Sequence, residues 1–483
     1  MKKIKTLILG LACWALFTHT LKAQYSPNPL NPAQLRQDLV LLQTELEKVH
    51  PGLYTYTSKP QLDALWDNIS TQLDAAMTPL QFFRLLMPLH RAIGNNHTKI
   101  YPPENYVKAL TTDLPRLPLR LYWYQDSLFV TEDVSRENQI GQGSQIISIN
   151  GEDALAVFRF LANQLTTDGL NLSYPYTLTG LGFSRYYGYY KGTPEEFLIE
   201  YITPDGIQKK AHLKGISVPE IMANREARIK PLPPKDKLHF EVQNGVGILR
   251  LSTFQIDPSS NLSPKAYKAL LKSTFSQLES AKIKTLILDL RDNGGGYPEA
   301  ANHLLSYLIS EIVYPSKSEH ALVDAIPQPH HYEEDMFFKH FHRQPLKWDG
   351  EYYQVKGAAQ TKVKPSSLTF TGKLLVLINS RCASATTELL GQIASHCSAT
   401  FIGEETGGNP ATQVASDLLS LILPNSKLKV QVPVIRSVMN VNFENKGYGV
   451  QPDLPFRPRM EDILSGKDTL LEFALELAQS PGE

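Results

Sequence analysis

Three stretches of the chain hold reactive side chains or ligand-binding backbone in settings that suit catalysis. In LLVLINSRCASATTELLGQIASHCSATFIGEETGG, residues 374–408, an apolar strand, a tight turn, a helix and a second strand follow one another, and Ser384 stands where the turn becomes the helix. A serine there can cap the helix by accepting an orphan N–H, its commonest employment. It can also attack a carbonyl. The carboxyl edge of an α/β sheet is where ligands sit, and a helix N-terminus stabilises developing negative charge, with the N–H of Ala385 aimed at it. The G-x-S-x-G elbow is absent.

The second stretch, LDLRDNGGG (288–296), ends an apolar strand in three glycines. Backbone N–H groups there can approach a ligand without a side chain in the way, so Gly294 or Gly295 could donate to an oxyanion. A plain glycine turn is the bland alternative. Asp289, Arg291 and Asn293 argue against it, since polar groups at the end of a buried strand need partners and would brace the loop. The third stretch, GNNHTKI (94–100), presents His97 just after a helix, where a solvated loop histidine is the commoner reading and a base the sharper one.

These three pieces, with NKGYGVQPD (445–453), occur in the order found in the S41 serine peptidases, which include the C-terminal processing peptidases, the tricorn core protease and the retinoid-binding modules. The text resembles that family from about residue 30 to 460. The resemblance implies Ser384 as nucleophile, with Ala385 and Gly294 or Gly295 as oxyanion donors. Processing peptidases place a lysine base 25 residues after the serine, where this chain has Asn409; a companion glutamine is kept as Gln413. The tricorn-like branch uses a histidine and a late glutamate, roles that fall on His97 and Glu444, with Glu404 or Glu405 as alternatives and Lys99 as a rival base. The implied activity is hydrolysis of peptide bonds in a peptide or protein substrate, without a cofactor. A ligand-binding protein on the same fold, or a peptide-binding adaptor, is the alternative implied by the missing lysine.

Elements must position these residues. Residues 24–110 read as a helical N-terminal domain, because LRQDLVLLQTELEKVH and TPLQFFRLLMPLHRAI carry apolar residues at spacings of three and four. Residues 111–220 alternate short strands with one helix and resemble a PDZ-like β-rich domain; GLGF at 180–183 is read as chance, and the insert 174–190 obscures any peptide groove. IKPLPPKDK (229–237) is a proline-rich boundary. Residues 221–483 alternate apolar strands with helices, an α/β catalytic domain that the resemblance makes crotonase-like. The fold class expected is therefore multidomain α/β.

Composition bounds the rest. With 48 basic and 48 acidic residues the 483-residue chain offers no polycationic surface, and no nucleic-acid partner is expected. Residues 1–23, with Lys2, Lys3 and Lys5 before an apolar run, read as a secretory signal whose removal leaves a charge of −4; GLAC ending at Cys13 is a weak lipoprotein box. No stretch is long enough for a stable membrane span, so an exported protein is expected, periplasmic, envelope-associated or secreted. The sequence leaves the oligomeric state open. Cys382 and Cys397 flank the helix that Ser384 starts, too far apart to bridge. PHHYEEDMFFKHFH (329–342) has metal-ligand residue types without metal-ligand spacing and reads as a surface insert over the cleft.

Overall fold

The computed structural model describes residues 28–229, 236–256, 263–444 and 447–480. The expected leader, Cys13 with it, and most of the proline-rich boundary lie outside the described residues.

Three helices open the chain: α1 (Pro32–Val49), α2 (Lys59–Thr71) and α3 (Pro79–Ile93). Helix α3 starts on a capping box between Thr78 and Gln81 and stops on Gly94, whose φ of 62° lets the chain turn towards His97. A two-residue strand β1 (Lys99–Ile100) and helix α4 (Glu104–Thr112) follow.

The middle of the chain forms a meandering sheet. Its strands are β2 (Leu119–Tyr124), β3 (Ser127–Asp133), β4 (Gln145–Ile149), β5 (Glu152–Asp153), β6 (Glu196–Ile202) and β7 (Gln208–Lys214), ordered β2-β3-β4-β6-β7 with β5 on β4. Helix α5 (Ala154–Ala162) is the one read from the sequence; the 174–190 insert is a second helix, α6 (Ser173–Tyr190), with GLGF inside it rather than in a loop. Helix α7 (Val218–Arg228) closes this part.

A second sheet begins with β8 (Leu238–Gln243) and β9 (Val246–Leu251), and continues after helix α8 (Pro264–Ser280) with β10 (Thr285–Asp289), which leads into helix α9 (Pro298–Leu305). After β11 (Ser316–Ala321), helix α10 (Met336–Phe341), β12 (Leu346–Trp348) and β13 (Tyr353–Val355), the chain returns as β14 (Lys373–Ile378), helix α11 (Ala385–His396) and β15 (Ala399–Gly403). The long hairpin β16 (Thr412–Ile422) and β17 (Lys429–Met439), the short β18 (Leu454–Pro455), helix α12 (Met460–Ser465) and helix α13 (Thr469–Gln479) end the chain. The sheet runs β18-β15-β14-β10-β9-β8, parallel except for β8. Every residue of β10 is buried, as expected for a parallel strand covered on both faces.

The third sheet, β1-β17-β11-β13-β12 with β16 on β17, joins distant parts of the chain. Leu419, Leu421, Val430 and Val432 of the hairpin share one core with Leu35, Leu42, Phe82 and Leu86 of the opening helices. The histidine-rich 329–342 segment packs here too. Tyr332 donates to Glu45 Oε2 at 3.0 Å, His340 pairs with Asp417, and Phe341 is buried. It is docked on the hairpin rather than standing over a cleft, because its apolar residues at 332, 338 and 341 complete that core. Among the described residues no group of three or more His, Cys, Asp or Glu is placed to hold a metal ion, and no helix is long and apolar enough to cross a membrane.

Candidate active site

Parallel register brings the two chemistry-bearing turns together. Asp289 at the end of β10 lies opposite Leu377 near the end of β14, so the turns that follow leave the same edge of the sheet. They are stitched to each other: Ala383 N donates to Asn293 O at 3.2 Å, Asp292 N donates to Asn379 Oδ1 at 3.1 Å, and Asn379 Nδ2 donates to Asp292 Oδ1 at 2.9 Å. Behind them Asp289 accepts from Arg291 and Arg250, and Arg291 reaches on to Asp468 at 2.6 Å. The polar residues of DLRDNGGG therefore hold the loop rigid.

Ser384 takes φ 56° and ψ −132° at the first position before α11, and its side chain makes no capping hydrogen bond. A β-carbon-bearing residue at positive φ is strained by about 1–3 kcal/mol, a cost usually met at sites where geometry serves function. The cap reading of this serine therefore lacks its hydrogen bond. Around it the backbone is crowded: Gly408 lies against Thr387 and Ser384 N, and Gly407 N donates to Cys382 O at 2.8 Å.

The oxyanion candidates divide. Gly295 packs on Ser384, but its N–H is already donated to Asn293 Oδ1 at 3.0 Å. The N–H groups of Gly294, which is exposed, and of Ala385, the first residue of α11, have no acceptor among the described residues. Gly295 therefore packs against the serine turn, and the N–H groups of Gly294 and Ala385 are the pair left to donate.

His97 sits in a loop braced at nearly every residue. Asn95 Nδ2 donates to Val414 O at 3.1 Å, Asn96 N donates to Asp168 Oδ1 at 2.8 Å, and His97 O accepts from Gln431 Nε2 at 2.7 Å. Lys99 pairs with Gln431 across β1 and β17, and Ile100 N donates to His90 Nε2 at 2.7 Å. The imidazole is partly buried and its Nδ1 is buried without a hydrogen-bond partner. Burial, helped by the charge of Lys99, lowers its pKa to about 4. Lys99 itself is lowered by burial, with Asp168 opposing the shift.

One segment joins the serine turn to Tyr56, which packs on Gly94 at the start of the histidine loop. Residues 404–413 touch Ser384 through Gly408, while Asn409 Nδ2 donates to Tyr56 Oη at 2.8 Å and Asn409 Oδ1 accepts from Ala411 N at 2.8 Å. Asn409 is fully buried in this role, so the place of a processing-type lysine is filled by a brace, and Gln413 Nε2 supports it by donating to Asn409 O at 2.6 Å. The acidic candidates stand elsewhere. Glu404 pairs with Arg457 at 3.2 Å; Glu405 accepts from Ser173 and from Gly449 N. Glu444 is exposed and lines a cavity of about 720 Å³ with Ala394 and Cys397, at the far end of the helix that Ser384 starts. Cys382 and Cys397, the two cysteines among the described residues, are free and flank α11.

Sequence reasoning missed Tyr56, Asn96 and Asp168. Asp168 is 5 % exposed, and its Oδ2 is buried with no hydrogen-bond partner. Burial raises its carboxyl to about 6 against the backbone N–H groups of Asn96 and Asn409 and the charge of Lys99. The dipeptide Asp168-Gly169 was the available signal, a turn former beside a polar run, TTDGLN.

Residues 245–456 match the model of Peptidase family S41. A carboxy-terminal-processing protease of Bartonella bacilliformis is 25% identical over 237 residues, which are 48% of this chain and 43% of that protein, so the match spans less than half of the relative's length. Among solved structures, mature CPAF aligns over 93% of this chain and 97% of its own with a TM-score of 0.62 at 14% identity. Mature CPAF complexed with lactacystin aligns with a TM-score of 0.63 over 93% of this chain and 98% of its own, again at 14% identity. Those two likenesses concern the multidomain α/β fold.

Proposed function

From a chain that belongs to peptidase family S41 through residues 245–456, we propose a serine peptidase that hydrolyses peptide bonds in peptide or protein substrates. The observation that carries this reading is Ser384 itself, held at φ 56° at a helix start with a hydroxyl that caps nothing. His97 takes the hydroxyl proton, and Ser384 Oγ attacks the substrate carbonyl carbon. The resulting oxyanion is held by the N–H groups of Ala385 and Gly294, each such donor being worth about 3–4 kcal/mol in the transition state. His97 returns the proton to the leaving amine, and water, deprotonated in turn, releases the acyl group.

The middle sheet is read as a PDZ-like domain and the parallel sheet with its helices as crotonase-like. Residues 1–23 are read as an export signal, with an exported, periplasmic or envelope location to match. Two unbridged cysteines do not oppose that reading, because α11 keeps them apart. The rival, a ligand-binding protein without catalysis, is favoured by the unpartnered Nδ1 of His97.

A peptide library incubated with the purified wild type and with Ser384→Ala separates the two. Cleavage by the wild type and none by the variant supports the peptidase. Equal product from both would sink it, and binding without cleavage would select the rival.

A further inference from the structure

A histidine base needs a partner at its other nitrogen, to select the tautomer and stabilise the imidazolium. Here Nδ1 of His97 is buried without one, and so is an acceptor close by in the fold, Oδ2 of Asp168. The two residues are tied one peptide unit apart, because the other oxygen of Asp168 accepts the backbone N–H of Asn96 at 2.8 Å. Two orphaned buried polar atoms, one able to donate and one able to accept, are each costly, and their cost is removed if they meet.

The loop bearing Asp168 is also tied to three other loops near the site. Gly169 N donates to Gly94 O at 2.8 Å, next to the His97 loop, and Leu170 N donates to Gly447 O at 2.7 Å in the loop that bears Glu444. Asn171 Nδ2 donates to Thr406 O at 2.7 Å, on the segment that reaches Ser384. Gly169 and Gly447 are in contact so close that a β-carbon on Gly169 would stand 2.4 Å from Gly447 Cα. The backbone that carries this carboxylate is held still, and side-chain rotation alone is left to it.

We propose that Asp168 is the positioning carboxylate of His97, its Oδ2 accepting the Nδ1 proton of the imidazole when substrate closes the site. This rests on His97 being the base of Ser384. Catalytic hydrogen bonds tighten in the substrate complex, so a small side-chain rotation suffices. The charged and titratable groups facing Asp168 are Lys99 from β1, Tyr56 from the loop after α1 and Tyr174 from α6; Arg436 of β17 lies beyond Tyr56. Lys99 is the competitor, since Asp168 could serve only to neutralise it.

The test is kcat and KM against pH for wild type, Asp168→Asn, Asp168→Glu, Glu444→Gln and Lys99→Met, with active-site concentration fixed by fluorophosphonate titration so that misfolded protein is not counted. Asp168→Asn should lower kcat by about a hundredfold or more with little change in KM, as when a triad carboxylate becomes an amide. The wild-type profile should show a limb near pH 6, where the Asp168 carboxyl ionises, that is lost in Asp168→Asn, and Asp168→Glu should recover part of the rate. The loss should persist in Lys99→Met. An unchanged kcat and limb in Asp168→Asn, a loss that vanishes in the Lys99→Met background, or the whole loss appearing instead in Glu444→Gln would overturn the assignment. If His97→Ala retains wild-type kcat, the base itself is misassigned, a failure distinct from these.

Discussion

Gly295 lies directly against Ser384: a β-carbon on Gly295 would stand 2.8 Å from Ser384 Cβ, 2.8 Å from Ala383 O and 3.1 Å from Ala385 N. Two of those neighbours are backbone, and Gly295 has φ +97°, so neither side of the contact can yield cheaply. Gly295→Ala should displace the turn that aims Ala385 N–H. The expected loss in kcat is about 10²–10³-fold, the scale of one oxyanion donor. Steady-state kinetics beside a thermal melt checks this; a variant that folds and turns over normally would show that the contact does not shape the site.

Ser384→Ala should be inactive yet fold as the wild type does. No capping bond is lost and alanine suffers the same backbone strain, so the stability change should stay within about 0.5 kcal/mol. Ser384→Gly removes the strain and should stabilise by about 1 kcal/mol. Urea unfolding of the three proteins gives the ordering, and a glycine variant less stable than wild type would mean the positive φ carries no strain.

Stability should fall as pH drops from about 6.5 towards 4. His50 accepts Gly52 N–H at Nδ1 and bonds Thr98 Oγ1 at 2.7 Å, and Thr98 Oγ1 donates to Asn95 Oδ1. His90 accepts Ile100 N–H at Nε2 and bonds Gln164 O with Nδ1. Each pattern requires a neutral ring, and burial lowers both from 6.5 to about 4. The unfolded chain thus binds more protons in that window, so stability is full above about 6.5 and is lost on acidification, at about 1.4 kcal/mol per pH unit per group. Asp168, raised to about 6, opposes this as a single group. Urea midpoints at pH 7, 5.5 and 4.5 measure the slope. His50→Gln should flatten it, and a flat wild-type profile would refute the neutral-ring account.

What could be read from the sequence follows from contact range. The strand, turn and helix around Ser384 are written locally, in the apolar run 374–378 and the helical 385–396, and so is the cap from Thr78 to Gly94. The resemblance to processing peptidases marks Asn409 as an empty lysine position. Its buried bond to Tyr56, 353 residues away, was not legible there. The sharing of one core by the opening helices and the 412–439 hairpin was equally hidden, since a hairpin's alternation names its inner face but not what covers it. His97 shows the same limit: an unperturbed imidazole titrates near 6.5, whereas burial beside Lys99 moves this one to about 4. Asp168 was invisible as a site residue because its partner Asn96 stands in a loop 72 residues away.

The central claim is that Ser384 is a nucleophile activated by His97, and the rate of its labelling by a fluorophosphonate measures both parts at once. A base acts in its neutral form and its positioning carboxylate in its ionised one, so the rate should rise with pH through a limb near 4 and a second near 6, and be flat by about pH 7.5. Peptide mapping should place a single adduct on Ser384, and His97→Ala should label orders of magnitude more slowly. An adduct on another residue, no adduct at all, or equal labelling rates with and without His97 would contradict the account.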